Sequence, residues 1–289
     1  MPNRLPRSRT LKGEPKLAYF DSGEARPGEA AIVLLHGRFF RSEDWENIFQ
    51  RLATRYRVIA YDARGHGRSG RAERYDFHLL VEDALRVVRD VVRGPAMLIG
   101  HSLGALTALV AATRAPELVR ALVLEEPPLG LFGAPWDGPF FTGLRASLER
   151  VGQDAAFRRA VARLPLLAPG PRGERTIGDV RGFYDVERMV LYYGVVDPAF
   201  VQARIAAADE IGHGVVQSAL PLVHQPSLLL VGDPREGAMT TEQDIARLTA
   251  AISDCKVVRF PRVGHRIHGL RPEPFIEALE PFLRRVRAG

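Results

Sequence analysis

The sequence predicts an α/β fold, a mostly parallel sheet with helices on both faces. Three observations predict it. Short apolar runs alternate with segments of helical periodicity up to about residue 128 and again from about residue 222. The strand-like runs are apolar at successive positions, as strands covered on both faces are. Between the two stretches the alternation is lost, and helix-like segments rich in aromatic residues take over. An alternating order of strand and helix favours a parallel sheet, whose ligands bind beyond the carboxyl ends of the strands.

In order along the chain, Leu17 to Phe20 reads as a strand, followed by turn material at Asp21-Ser22-Gly23 and Arg26-Pro27-Gly28. Ala31 to Leu35 is a continuous apolar run that ends at His36-Gly37-Arg38-Phe39. Ser42, with Glu43 and Asp44, marks a helix start, and Trp45, Ile48, Phe49 and Leu52 share one face of that helix. Val58 to Tyr61 is a strand that runs into Asp62-Ala63-Arg64-Gly65-His66-Gly67. A helix over about 76–93 carries Leu80, Ala84, Val87, Val88 and Val91 at helical spacing. Ala96 to Ile99 is the next strand, a helix runs from the following turn to Arg114, and Pro116 forbids its continuation. Ala121 to Leu124 is a further strand, ending in Glu125-Glu126-Pro127-Pro128.

Residues 129–221 read as a helical insertion, with helix-like segments at 140–151 and 186–193 and aromatic residues including Phe132, Trp136, Phe140, Phe183, Tyr184 and Tyr192. Most of these aromatics are expected to pack its small core. Sheet character returns at Ser227 to Val231, then a helix over about 241–252, a strand at Lys256 to Phe260, and a last helix that Pro272 begins. Phe275, Ile276, Leu279, Phe282, Leu283 and Val286 give that helix an apolar face. The expected division is therefore a core of residues 1–128 and 222–289 with an inserted cap at 129–221.

At 289 residues and 46% apolar content, the chain is long enough to bury a large core. No apolar run approaches the roughly 20 residues that span a bilayer. The first 16 residues are basic and hold no apolar stretch, so they do not read as a secretory signal, and a cytoplasmic location is expected. Cys255 is the single cysteine, which excludes an internal disulfide and a cysteine-based metal cluster. The formal charge of +6 is dispersed among 34 acidic residues and carried almost wholly by arginine. A nucleic-acid surface calls for a clustered basic stripe with aromatic platforms, which this pattern lacks. The partner expected is a small-molecule substrate, with neither nucleic acid nor membrane.

The chemistry-bearing stretch is Gly100-His101-Ser102-Leu103-Gly104. In a chain with 27 glycines a Gly-x-Ser-x-Gly arises by chance often enough to mean little alone. Its place between a strand and a helix gives it meaning, because two small residues permit a turn so tight that the central side chain stands clear of the sheet. A serine hydroxyl there needs a base to take its proton and donors to receive an oxyanion.

With these motifs in order, the chain resembles the α/β-hydrolase superfamily over nearly its whole length. The matching pieces are His36-Gly37, Tyr61 to Gly67, Gly100 to Gly104, an insertion after the sixth strand, and Gly264-His265. The resemblance implies an eight-stranded sheet and no cofactor or metal. Its nearest subgroups are the capped esterases, lactonases, carbon-carbon hydrolases and dehalogenases. It implies Ser102 as nucleophile, His265 as base, and the main-chain N–H groups of Leu103 and Arg38 as the oxyanion hole. A serine at 102 sets the chain apart from the haloalkane dehalogenases, whose nucleophile is an aspartate. His268 competes with His265 but lacks a preceding glycine. His36, His66 and His101 belong to the motif turns, where stabilising the turn is their expected work. Phe39, His101, Trp136 and Tyr192 are expected to border the substrate.

The third partner departs from the common pattern. Many members place an aspartate three residues after the glycine ending the seventh strand, and here that position is Arg235, flanked by Asp233 and Glu236. Certain dehalogenases and zearalenone-type lactonases take the acid from the end of the sixth strand instead. Glu126, 24 residues after Ser102, matches that place and is the first choice, with Glu236 second and Asp233 third.

The expected activity is hydrolysis of a carboxylic ester or lactone of a medium-sized hydrophobic or aromatic substrate through an acyl-enzyme. A carbon-carbon hydrolase is the chemical alternative. Arg235 keeps open a small-molecule receptor with a residual triad.

Overall fold

A computed structural model of the chain describes residues 5–23, 30–132, 138–165, 176–179, 186–206 and 210–287. The turn expected at 26–28 and the aromatics Trp136, Phe183 and Tyr184 lie outside the described residues. Among the described residues eight strands form one sheet: β1 (Arg9–Leu11), β2 (Leu17–Asp21), β3 (Ala31–Leu35), β4 (Val58–Tyr61), β5 (Ala96–His101), β6 (Val119–Glu125), β7 (Ser227–Val231) and β8 (Cys255–Arg259). Their order is β1-β2-β4-β3-β5-β6-β7-β8. β2 runs antiparallel to both β1 and β4, and every other pairing is parallel.

The central strands alternate their side chains between two apolar layers, as a pleated ribbon must. Val33, Leu35, Leu98, Leu122, Leu124 and Leu229 face the layer packed by α2 (Phe77–Arg86) and α3 (Leu103–Arg114). Ile32, Leu34, Met97, Ile99, Val123 and Leu230 face the other, where Trp45 and Phe49 meet Phe275, Leu279 and Phe282. Each fully buried aliphatic of this kind contributes about 1.5–3 kcal/mol relative to exposure, and both faces of the central strands are covered. Continuous apolar runs in the sequence are the direct trace of that double coverage.

Between β6 and β7 the described secondary structure is helical apart from one isolated bridge, Pro165 to Thr176. It includes segments at Pro139–Leu148 and Val186–Tyr193, close to the expected ones, and three more at Asp154–Ala162, Pro198–Ala206 and Glu210–Ala219. This segment is tied to the sheet layer by polar and aromatic contacts. Tyr75 Oη donates to Asp197 Oδ2 at 2.6 Å, and the Asp197 N–H donates to the Gly65 carbonyl at 2.8 Å. The Phe39 ring meets Tyr193 and Phe200 edge-on at 5.9 Å, and Phe40 meets Tyr192 at 5.7 Å.

Two local features depart from the sequence pattern. β1 was not expected; it is a three-residue edge strand with largely exposed side chains, so no apolar run betrays it. The helix expected over 76–93 is α-helical only to Arg86 and then widens into a π-turn at Val87–Val92, closed by Arg93 in the left-handed region at φ 63°.

Candidate active site

β3, β5 and β6 end side by side, and the loop after β8 comes to the same edge. Ser102 follows β5 and immediately precedes α3. Its φ and ψ are 52° and −116°, a conformation that non-glycine residues seldom adopt and that recurs where strain is held for function. The neighbouring glycines make the turn possible. A Cβ on Gly100 would stand 2.3 Å from the Gly104 carbonyl oxygen, and one on Gly104 would stand 2.2 Å from that of Leu35. The N-terminus of α3 therefore lies directly against the loop that follows β3.

His36 in that loop and His66 in the loop after β4 are turn stabilisers. His36 Nε2 accepts the Ala63 N–H at 2.9 Å while Nδ1 lies 2.8 Å from the Gly37 carbonyl, and burial first of all holds its pKa below the ordinary value, so the ring is neutral. His66 Nε2 accepts from the Phe39 N–H at 3.3 Å, and Nδ1 lies 2.8 Å from the Arg64 carbonyl. Phe39 has φ 66°, so the chain turns sharply just after Arg38.

His265 meets Glu126. The His265 Nδ1–H donates to Glu126 Oε2 at 3.2 Å, and both side chains are buried. The carboxylate is fixed by three main-chain donors as well: Gly232 on Oε1 at 2.8 Å, and Met239 and Thr240 on Oε2 at 2.6 and 3.2 Å. Glu126 itself stands in the left-handed region at φ 51°, and its carboxylate meets the Gly232 N–H just beyond β7. Thr240 Oγ1 donates to the Pro127 carbonyl and Asp244 accepts the Gly130 N–H, so the first turn of the helix Glu242–Ala251 and the residues before it are bound to the segment after Glu126.

The other two acids are elsewhere engaged. Asp233 pairs with Arg235, Oδ1 to Nε at 3.1 Å, and accepts the main-chain N–H groups of Arg235 and Arg262. These bonds, led by that to the Arg235 side chain, hold its carboxyl down to about 2. Glu236 lies in the short turn Pro234–Glu236, and the carboxylate on the His265 ring is that of Glu126. Arg235 thus departs from the expected aspartate without leaving the histidine unpaired.

His101, one residue before Ser102, is fully buried, with Nε2–H donating to the His265 carbonyl at 2.9 Å and its ring 4.7 Å from that of His265. Burial, then the neighbouring His265 and His268, hold its pKa well below the ordinary value. This contact brings His265 to the serine turn. Among the described residues no hydrogen bond joins Ser102 Oγ to His265; catalytic hydrogen bonds of this kind tighten on substrate binding. Both ring nitrogens of His268 meet other carboxylates: it is buried between Glu125 and Asp44. Phe39 and Tyr192 are both buried at the joint between the sheet layer and the inserted helices, with Arg41 over the Tyr192 ring at 5.6 Å. Sequence reasoning missed the buried group of Asp44, Glu125, Arg266 and His268. Two adjacent glutamates at a strand end, in a chain with a second histidine three residues after the first, were its only trace.

A wound sheet with a strained serine turn and a histidine-glutamate pair at one edge defines a hydrolase by class. The chain belongs to the alpha/beta hydrolase family, whose model matches residues 32–278. It is 39% identical over 261 residues to the 2-(acetamidomethylene)succinate hydrolase of Mesorhizobium japonicum, covering 87% of each chain. Among solved structures, an E-2-(acetamidomethylene)succinate hydrolase shares the fold with a TM-score of 0.68 at 22% identity, over 96% of this chain and 99% of that one. The enol-lactonase of Burkholderia xenovorans shares it at 0.70 and 20% identity, over 94% and 97%.

Proposed function

We propose that the chain is a serine hydrolase that transfers an acyl group to water through an acyl-enzyme on Ser102. In this reading His265 Nε2 takes the hydroxyl proton as Ser102 Oγ attacks the acyl carbon, then returns that proton to the leaving group. Water attacks the acyl-enzyme by the same route, giving its proton to His265 and releasing the acid. Glu126 holds the ring with Nδ1 protonated, so that Nε2 is the free base, and stabilises the imidazolium that forms. The observation that carries the reading is the Glu126–His265 contact beside a serine in a strained turn.

The oxyanion donors in this account are the main-chain N–H groups of Leu103, at the N-terminus of α3, and of Arg38. The Phe39 N–H is already committed to His66, which supports Arg38 as the donor from that loop. Residues 129–221 would act as a cap, with Phe39 and Tyr192 as parts of an apolar wall that suits a hydrophobic or aromatic ester or lactone.

A second substrate reading is favoured by the Mesorhizobium relative. Its name describes a substrate with two carboxylates and an acylated nitrogen, which the same acyl-transfer chemistry would cleave at the acyl carbon. A panel of a p-nitrophenyl ester, an aromatic lactone, a 2-(acylaminomethylene)succinate and a vinylogous diketone tests the choice. Turnover of the first two, lost in Ser102→Ala, is the expected result. Preference for the succinate replaces the ester reading and keeps the mechanism, and turnover of the diketone alone selects carbon-carbon cleavage.

A further inference from the structure

Behind His265 lies a second pairing of an imidazole with a glutamate. His268 is three residues beyond His265, and Glu125 directly precedes Glu126; both are fully buried. His268 Nδ1 is 2.7 Å from Glu125 Oε2, and Nε2 is 3.0 Å from Asp44 Oδ2. The His268 N–H donates to Glu125 Oε1 at 2.9 Å, and Arg266 Nε donates to Asp44 Oδ1 at 2.7 Å. The Trp45 indole stacks on the His268 ring at 3.9 Å between centroids.

An ionised carboxylate only accepts hydrogen bonds, and an imidazole donates from both nitrogens only as a cation. A charged His268 also balances the group: Asp44 and Glu125 negative, Arg266 and His268 positive. A neutral ring would leave one buried negative charge uncompensated, which burial penalises heavily. Burial alone would lower the pKa of His268, but Glu125 and then Asp44 raise it above the ordinary value. For Asp44 burial pulls upward, and Arg266 and then His268 hold the carboxyl well below its usual range. The ligand atoms of Asp44, His101 and His268 lie within 4.8 Å of one another, a spacing that a metal ion would accept. Arg266 already holds that carboxylate and both His268 nitrogens have carboxylate partners, so the donor set does not fit a cation.

The group borders the proposed triad at two points. Arg266 directly follows His265, and the His101 ring lies 4.7 Å from that of His265 and 5.2 Å from that of His268. We propose that His268 is a positioning residue held as an imidazolium at neutral pH, which clamps the 265–268 segment onto Glu125 and Asp44 and acts on His265 through its charge. This rests on the reading of His265 as the base that serves Ser102. The charged and titratable groups around the two rings are Glu126 on His265, His101 between them, and Glu125, Asp44 and Arg266 on the far side. Tyr192 adds a neutral phenol in the field of Asp44, Arg188, Arg266 and Arg41, its own ionisation pushed far upward by burial and then by Asp44.

The test is the second-order rate of phosphonylation of Ser102 by an alkyl fluorophosphonate, measured on the full chain from pH 5 to 10. His268→Gln leaves the group one unit more negative, which stabilises the protonated form of His265. The acid midpoint of the rate is expected to move to higher pH by about one unit, the size of one charge at roughly 10 Å in an effective dielectric of ~20. Adding Glu125→Gln restores the charge balance, and the midpoint is expected to return. A clamp with no electrostatic part changes the plateau rate and leaves the midpoint in place, and that result overturns the proposal. Wild-type protein that does not react at any pH removes the hydrolase reading as well, and so is told apart. Should the variants fail to fold, ¹⁵N spectra of the wild-type histidines decide. One ring with both nitrogens protonated at pH 8 is expected, and only neutral tautomers overturn the proposal.

Discussion

Glu126 Oε2 lies 3.2 Å from His265 Nδ1, although 139 residues separate the two in the chain. Three main-chain N–H groups converge on the same carboxylate, so its position is fixed by contacts independent of the histidine. Glu126→Gln keeps most of those bonds but allows the other tautomer of His265. A loss in kcat of roughly 10⁴-fold is expected. Asp233→Asn and Glu236→Gln, measured alongside on the same ester, are expected to stay within a few-fold of wild type. Loss in either of those and not in Glu126→Gln would move the acid to the β7 turn.

Replacing Ser102 or His265 by alanine is expected to cost turnover on the order of 10⁶-fold, leaving the contribution of binding and oxyanion donors. The double variant is expected to be no worse than either single one, since the two groups act as a unit. Steady-state rates on the best ester of the panel check both statements.

Gly104 has no room for a side chain: a Cβ would stand 2.2 Å from a main-chain oxygen of β3. Gly104→Ala is expected to destabilise the fold by about 1–3 kcal/mol through a forced shift of backbone against backbone. Urea denaturation reads the stability, and the fluorophosphonate rate reads the displaced oxyanion donors. A variant as stable and as reactive as wild type would show that α3 and the β3 loop are not in this contact.

Tyr75 donates to the buried carboxylate of Asp197 at 2.6 Å and ties the inserted helices to the sheet layer. Burial and this bond push its own ionisation up to about 12. Tyr75→Phe leaves an acceptor unsatisfied, at an expected cost of about 1–3 kcal/mol. Hydrogen exchange is expected to quicken over residues 186–206 before it does in the central strands.

Stability against pH carries a further signature of His268. Its pKa is raised on folding, so its contribution is complete below the unfolded value of about 6.5 and is lost as pH rises through the folded one. Wild type is therefore expected to lose stability relative to His268→Gln as pH is taken from 6 to 10. Asp44 acts in the opposite sense: its pKa is lowered, so its contribution stands above about 3.8 and fades as pH falls through the folded value. Chemical denaturation across the range checks the two slopes.

Much of this molecule is legible in its sequence because burial on both faces leaves unbroken apolar runs. β3, β4, β7 and α3 end where those runs and their bounding glycines and proline end. The edge strand β1 escapes because its side chains are exposed, and the π-turn at 87–92 escapes because it keeps the apolar periodicity of the helix before it. Ser102 and His265 are marked by local motifs. Glu126 is not, since its contact with His265 rests on a positive φ and on donors more than 100 residues away, and only the resemblance to members with an acid at the end of the sixth strand pointed to it. The Asp44–His268–Glu125 group is assembled from three separate segments and leaves no periodic trace at all.

The central claim is that the Ser102 hydroxyl is activated by His265. Its most direct test is intact-mass and peptide mapping after brief exposure to a fluorophosphonate. One adduct, on Ser102, is expected in wild type and none in His265→Ala under the same exposure. A wild-type chain that stays unmodified, or His265→Ala labelled as fast as wild type, would contradict the account.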